Sequence, residues 1–336
     1  MCALCFKNVK RIPVNPKHSL TLKPMSEVSE NIELFDDLFV AHKVRVFLKR
    51  EDLLHPLISG NKFRKLKYNL LLAKAQKADT LLTFGGAYSN HIAATAAAGK
   101  LHGFKTIGVI RGEELGGENL HKTLTQNATL AFAKAQGMQL HFVTRLDYKN
   151  KTQTHFIEEL QNKFGDFYLI PEGGTNDLAI KGCQEIITKA EHHFDYVCCA
   201  AGTGGTISGI INSVQPKQQV LGFPALKGSF LNDEIASLVS QSNWKLVPDY
   251  HFGGYAKVNE ELVLFMNDFY AKHHILLDPI YTAKMMYGIY KMIAQKSFSE
   301  KSCILAVHTG GLQGIDGVNN KLKNKQTTQI ITPYEL

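Results

Sequence analysis

Three clusters in this chain bring nucleophiles, cations and glycines together at spacings that can do chemistry. The first is Ser59-Gly60-Asn61-Lys62-Phe63-Arg64-Lys65. Gly60 permits a tight backbone approach, and Asn61 is placed to cap a helix beginning at Lys62. Cations are favoured at helix C-termini, so Lys62, Arg64 and Lys65 at an N-terminal end call for a bound anion. The same field lowers a lysine pKa, which is what an amine needs to form a Schiff base. The competing reading is a solvated basic patch.

The second cluster, Gly85-Gly86-Ala87-Tyr88-Ser89-Asn90-His91, precedes a run of small residues from Ile92 to Ala98. A helix walled with alanine lets its N-terminus approach a ligand closely, and its exposed N–H groups attract a carboxylate. Ser89 and Asn90 would point into that site; alternatively, one of them is simply the N-cap. The G-x-S-x-G pattern of a hydrolase elbow is absent. The third cluster, Gly202-Thr203-Gly204-Gly205-Thr206, offers backbone N–H groups and two hydroxyls to a phosphate. It lacks the Gly-Lys-Ser/Thr of a P-loop, and Ile207 stands where a dinucleotide-binding loop needs its third glycine. A phosphate cup without nucleotide machinery suggests a phosphorylated cofactor; the alternative is a glycine-rich βα turn that serves only close packing.

The elements that must position these clusters alternate between strand-like and helical patterns with short glycine-containing turns, as βα units around parallel sheets do. Strands are predicted at 44–48, 80–84, 106–110, 140–143, 167–170, 196–200, 219–223 and 303–307. Helices are predicted at 66–75, 90–101, 117–135, 154–163, 179–191, 205–214, 232–240, 259–271 and 282–295, with a polar, basic surface segment at 319–326. At 336 residues and 44% hydrophobic, the chain can bury two moderate cores, and two lobes are expected.

The 38 Lys+Arg against 30 Asp+Glu give a net charge of +8 that suits anionic small molecules; without aromatic-basic interleaving, nucleic acid is not the expected partner. No secretory apolar region and no membrane-length apolar run is visible, so a cytoplasmic protein with reduced thiols is expected. Cys2-x-x-Cys5 has no second half of a zinc site, so no metal is expected, and Cys198-Cys199 reads as buried packing.

Five motifs occur together and in order: Ser-Gly-Asn-Lys62-x-Arg-Lys, Gly-Gly-x-x-Ser89-Asn90-His91, Gly-Thr-Gly-Gly-Thr206, Asp278-Pro279-x-Tyr281 and His308-Thr309-Gly310-Gly311. Over roughly residues 45 to 316 the chain thereby resembles the 1-aminocyclopropane-1-carboxylate (ACC) deaminase and D-cysteine desulfhydrase family, pyridoxal-phosphate enzymes of the tryptophan-synthase β fold (fold type II). The resemblance implies an α/β protein of two open, twisted parallel-sheet lobes with pyridoxal 5'-phosphate in the cleft between them. The large lobe would be 1–65 with 176–336, the small lobe 66–175, and the assembly a homodimer acting on a small amino acid.

By the same resemblance Lys62 is the Schiff-base lysine, Asn90 the partner of the cofactor's phenolic oxygen, and Gly202, Thr203, Gly204, Gly205 and Thr206 its phosphate cup. Ser89 resembles the active-site serine, Tyr281 the tyrosine beside the cofactor ring and Tyr255 the second active-site tyrosine; Ser89, Asn90 and His91 would meet the substrate. Thr282 and Thr309 stand where ACC deaminases carry a glutamate facing the pyridine nitrogen and a leucine. A carboxylate keeps that nitrogen protonated and the ring a deep electron sink, whereas a hydroxyl leaves it largely neutral. Opening a cyclopropane needs the stronger sink, and expelling a β-thiolate needs less. The expected reaction is α,β-elimination from D-cysteine, with ACC deamination the alternative. A nucleotide-binding protein would leave Lys62 unexplained, and a catalytically silent binding protein would be expected to lose Lys62 or Ser89.

Overall fold

The computed structural model describes residues 28–333, so Cys2 and Cys5 lie outside the described residues. Its strands are β1 (Asn31–Leu34), β2 (Arg45–Lys49), β3 (Thr80–Gly86), β4 (Lys105–Arg111), β5 (Gln139–Val143), β6 (Tyr168–Ile170), β7 (Tyr196–Ala201), β8 (Gln219–Pro224), β9 (Trp244–Leu246) and β10 (Cys303–Val307). They form a six-stranded sheet in the order β1-β2-β10-β7-β8-β9 and a four-stranded sheet in the order β5-β4-β3-β6. All pairings are parallel except β1 with β2.

The helices are α1 (Asp37–Ala41), α2 (Asn61–Ala75), α3 (Asn90–His102), α4 (Leu120–Gln126), α5 (Ala128–Ala135), α6 (Thr154–Phe164), α7 (Asp177–Cys183), α8 (Gly205–Ile211), α9 (Phe230–Ala236), α10 (Glu260–His273), α11 (Thr282–Ala294) and α12 (Gly314–Asn324). None among the described residues is long and apolar enough to cross a membrane.

Continuous apolar runs make the central strands because both faces of a parallel sheet are covered. Alternation along β7 sends Cys198 and Ala200 into the core under α10 and α11, and Val197, Cys199 and Ala201 into the core under α8. Both cysteines are fully buried and burial pushes their thiols far up, so they are packing residues.

Three segments differ from the sequence-based expectation. The helix predicted over 117–135 is two helices, because Asn127 takes an extended conformation and its side chain accepts from the Leu130 N–H to start α5. The helix predicted over 179–191 ends as α7 at Cys183 and continues as short 3-10 turns. The segment 319–326 is largely the end of α12, which buries Ile315, Val318 and Leu322 and exposes its lysines.

The seam between the sheets is α2. Phe63, Leu66 and Leu70 bury one face in the core of the smaller sheet with Leu81 and Ile170. The opposite face meets α7, where Gly182 lies so close to the Arg64 carbonyl that any Cβ would collide with it. Buried Arg64 is clamped by Glu51, Nε to Oε2 at 2.9 Å and Nη2 to Oε1 at 3.0 Å, and the same carboxylate accepts from Ser29 Oγ at 2.6 Å. The cation expected to need a bound anion is thus neutralised by the protein itself.

Candidate active site

The carboxyl ends of the parallel strands open toward one another, the place where α/β folds bind ligands. From the large sheet, β7 delivers 202–206, and β10 delivers His308-Thr309-Gly310-Gly311. From the small sheet, β3 delivers 85–90, and β6 delivers Pro171-Glu172-Gly173-Gly174-Thr175.

Lys62 is in the first turn of α2, whose N-cap is Gly60 at φ +63°, not Asn61. A Cβ at Gly60 would overlap the Thr309 carbonyl, to which the Asn61 N–H donates at 3.2 Å. Freed from capping, Asn61 Nδ2 donates to Thr206 Oγ1 at 2.8 Å and ties the lysine helix to the glycine loop. Lys62 Nζ donates to the Gly173 carbonyl at 3.2 Å, and Lys65 Nζ donates to the same carbonyl and to Thr175 Oγ1, both at 3.0 Å. Burial first, and then the Lys65 charge, hold the Lys62 amine well below the usual lysine range. Burial also lowers Lys65. Arg64 and Lys65 are each only 2% exposed, which excludes the solvated patch.

The loop Gly202–Thr206 runs into α8, whose first N–H groups have no intrahelical partner. Thr203 Oγ1 lies 2.6 Å from Thr175 Oγ1. A Cβ on Gly205 would meet Thr175 Cγ2 at 2.8 Å and Lys65 Nζ at 3.2 Å, so glycine there lets the loop pack directly against Thr175 and the Lys65 amine. The Glu172–Thr175 turn, whose Gly173 carbonyl accepts from both lysines, is not singled out by the sequence reading; its signal is a Gly-Gly pair directly after a strand.

Ser89 is the N-cap of α3, its Oγ accepting from the Ile92 N–H at 3.4 Å, a long bond that leaves the hydroxyl proton available. Asn90 opens α3, partly exposed, and its side chain makes no hydrogen bond among the described residues. His91 turns inward and is 1% exposed. Thr83 spends its proton on the Ile170 carbonyl at 2.8 Å, so His91 Nε2 donates to Thr83 Oγ1 at 2.8 Å. Burial, followed by the charges of Lys62 and Lys65, keeps this imidazole neutral. It packs against Gly174, whereas Ser89 and Asn90 remain partly exposed.

Tyr281 and Tyr255 meet edge to face with centroids 6.2 Å apart. Burial pushes both phenols up, Tyr281 well above the usual range, so both are proton donors at neutral pH. Tyr281 borders Gly202, where a Cβ would come within 3.2 Å of its hydroxyl; Tyr255 is 47% exposed. Thr282 is buried, and its hydroxyl donates to Asp278 Oδ2 at 2.6 Å. Asp278 also accepts the N–H groups of Ile280, Tyr281 and Thr282, which saturates its carboxylate. Thr309 is buried beside Gly60, and its hydroxyl makes no hydrogen bond among the described residues.

Two lysines under one carbonyl, a glycine loop and a paired-tyrosine wall at facing strand ends define an α/β enzyme of the pyridoxal-phosphate fold type II class. The chain belongs to the pyridoxal-phosphate dependent enzyme family, whose model matches residues 32–310. It is 32% identical over 295 residues to a Pyrococcus horikoshii protein described as a candidate 1-aminocyclopropane-1-carboxylate deaminase, covering 82% of this chain and 87% of that one. It is 29% identical to the mitochondrial bifunctional D-cysteine desulfhydrase/1-aminocyclopropane-1-carboxylate deaminase of Arabidopsis thaliana, covering 80% and 73% of the two chains. The crystal structure of an ACC deaminase homologue superposes with a TM-score of 0.73 at 29% identity, covering 88% of this chain and 93% of that one. The chain is therefore a pyridoxal-phosphate-dependent enzyme of the ACC deaminase and D-cysteine desulfhydrase kind.

The residues fit that cofactor. A neutral amine at Lys62 can take an aldehyde, and the glycine-rich turn Gly202–Thr206 at the start of α8 offers backbone N–H groups that suit a phosphate.

Proposed function

We propose that this enzyme catalyses α,β-elimination on a small β-substituted amino acid, D-cysteine, releasing pyruvate, ammonia and sulfide. ACC deamination to 2-oxobutyrate is the second reading, favoured by the names its relatives carry. The observation that carries the choice is Thr282. The position that holds a glutamate in ACC deaminases offers a hydroxyl here, and that hydroxyl has spent its proton on Asp278. The nearest carboxylate, Asp278 itself, is saturated by backbone donors and by Thr282. An environment of this kind favours a weaker electron sink, sufficient where the leaving group carries electrons away.

Pyridoxal phosphate, when bound, supplies the sink for charge developing at the substrate's Cα. Lys62 anchors its aldehyde, 202–206 with Lys65 hold its phosphate, and Asn90 meets its phenolic oxygen. Ser89 exchanges protons beside the N-terminus of α3, which holds the substrate carboxylate, while the protonated phenols of Tyr281 and Tyr255 donate. Closure of a small lobe, 66–175, on a large lobe, 1–65 with 176–336, excludes water. A homodimer is part of the same proposal.

The test incubates the enzyme with D-cysteine, L-cysteine and ACC while pyruvate, 2-oxobutyrate and sulfide are measured. Sulfide and pyruvate from D-cysteine are expected. Formation of 2-oxobutyrate from ACC at a rate equal to or above D-cysteine turnover would overturn the choice.

A further inference from the structure

The strand β4 lies beside β3, on the side away from β6, and its last residue is Arg111. In register it lies beside Gly86, so three adjacent carboxyl ends, from β6, β3 and β4, present the Gly173 carbonyl, the Ser89 loop and a guanidinium to the same cleft. A Cβ added to Gly86 would come within 3.5 Å of Arg111 Nη2, so the guanidinium lies over the loop that leads to Ser89. Its other face is 5.6 Å from the ring centre of buried Tyr148. Tyr148 donates to Glu172 at 2.8 Å, and the next residue is Gly173, the acceptor of Lys62. Across the cleft, the Arg111 charge reaches the Tyr255 phenol and opposes the upward push of burial on it.

Arg111 is exposed, and no carboxylate pairs with it among the described residues. Two acids of the surrounding turns are engaged elsewhere, Glu172 with Tyr148 and with Lys151 at 3.3 Å and Glu114 with Arg145 at 2.6 Å, and among the described residues Glu113 does not pair with Arg111. A guanidinium presents five donors in a planar fork, and the Tyr148 ring satisfies none of them as a hydrogen-bond acceptor would. In the proposed reaction the substrate's amine and carboxylate already have partners, the cofactor's aldehyde and the start of α3. The third substituent, on Cβ, has none.

We propose that Arg111 is the specificity-determining residue for that third group, recognising a β-substituent that carries negative charge. On the reading above, the group is the thiol of cysteine, whose sulfur keeps its proton, takes the electron pair as the Cβ–S bond breaks and leaves as hydrosulfide, the negative charge developing on it as it departs. The assignment rests on that reading for the identity of the substituent, and on geometry alone for its charge.

The experiment uses the pyridoxal-phosphate-loaded enzyme and isothermal calorimetry with aspartate, asparagine and alanine, each as both enantiomers. Aspartate and asparagine have nearly the same shape and differ in the charge beyond Cβ. For one enantiomer the wild type is expected to bind aspartate about tenfold or more tighter than asparagine, the scale of a charge-assisted hydrogen bond. Arg111→Met should erase the preference and leave alanine binding unchanged; Arg111→Lys, which keeps the charge, should retain part of it. A wild type without the preference, or an Arg111→Met enzyme that keeps it, overturns the assignment. So does Arg111→Met weakening alanine as much as aspartate, which marks a structural role. Absence of sulfide from D-cysteine with the aspartate preference intact overturns the elimination reading and leaves Arg111 as an anion selector.

Discussion

Lys62 and Lys65 donate to one acceptor, the Gly173 carbonyl, at 3.2 and 3.0 Å. Two ammonium groups so placed repel, and the Lys65 charge is one of the causes that lower the Lys62 pKa, after burial. Lys62 is the group that yields its proton.

Replacing Lys65 by Met removes that repulsion, so the Lys62 pKa should rise. A higher pKa means less neutral amine at a given pH, and the acid limb of the reaction of Lys62 with pyridoxal phosphate should move to higher pH. The midpoint of apoenzyme reconstitution rate against pH reads this separately from any loss of phosphate affinity. A midpoint that stays fixed or moves to lower pH contradicts the coupling.

Lys62→Ala should abolish turnover and the visible absorption of the cofactor–lysine linkage, because the other amine at the Gly173 carbonyl, Lys65, is held in place by Thr175 Oγ1. Borohydride reduction of the wild type followed by peptide mapping should place the pyridoxyl group on Lys62. A label on Lys65 would exchange the roles of the two lysines.

Ser89→Ala removes a long cap bond, and the helix should lose only about 1 kcal/mol. Cofactor binding should persist while turnover falls by ~10²-fold or more, since the hydroxyl proton is not used by the cap. Unchanged turnover would reduce Ser89 to its capping role.

Gly60→Ala places a Cβ at φ +63° against the Thr309 carbonyl. The backbone conformation alone costs roughly 1–2 kcal/mol, and displacing the His308–Gly310 turn adds about 1–3 more. Urea unfolding should show the combined loss, and turnover of the folded fraction should fall because the Asn61 to Thr309 bond moves with Lys62. A fully stable, fully active variant would mean that the turn yields freely.

Much of this architecture was legible along the chain because its causes are local. The strands β2 to β8 and β10 are apolar runs ended by turn residues, and α3 and α8 follow directly from the glycine clusters that precede them. The edge strands β1 and β9 were not visible: Asn31–Leu34 is extended because β2 pairs with it, and Trp244–Leu246 because β8 does. The break at Asn127 reflects a competition between side-chain capping and helix continuation that periodicity cannot weigh.

For the proposed site, residue order singles out Lys62, Ser89 and the 202–206 loop as short motifs with their own chemistry, and Tyr281 through the family resemblance alone. What those side chains do to one another depended on folding. Asn61 reaches Thr206, 145 positions away, instead of capping its own helix; Glu51 rather than a ligand neutralises Arg64; and Asp278 takes the Thr282 proton. Arg111 carries no motif at all. Its place beside Gly86 comes from the register of β4 on β3, a long-range pairing that follows from how the two strands share one buried sheet. Spacing along a chain reports what a residue type can do, whereas charge, hydrogen-bond partners and solvent access are properties of the neighbours that only packing supplies.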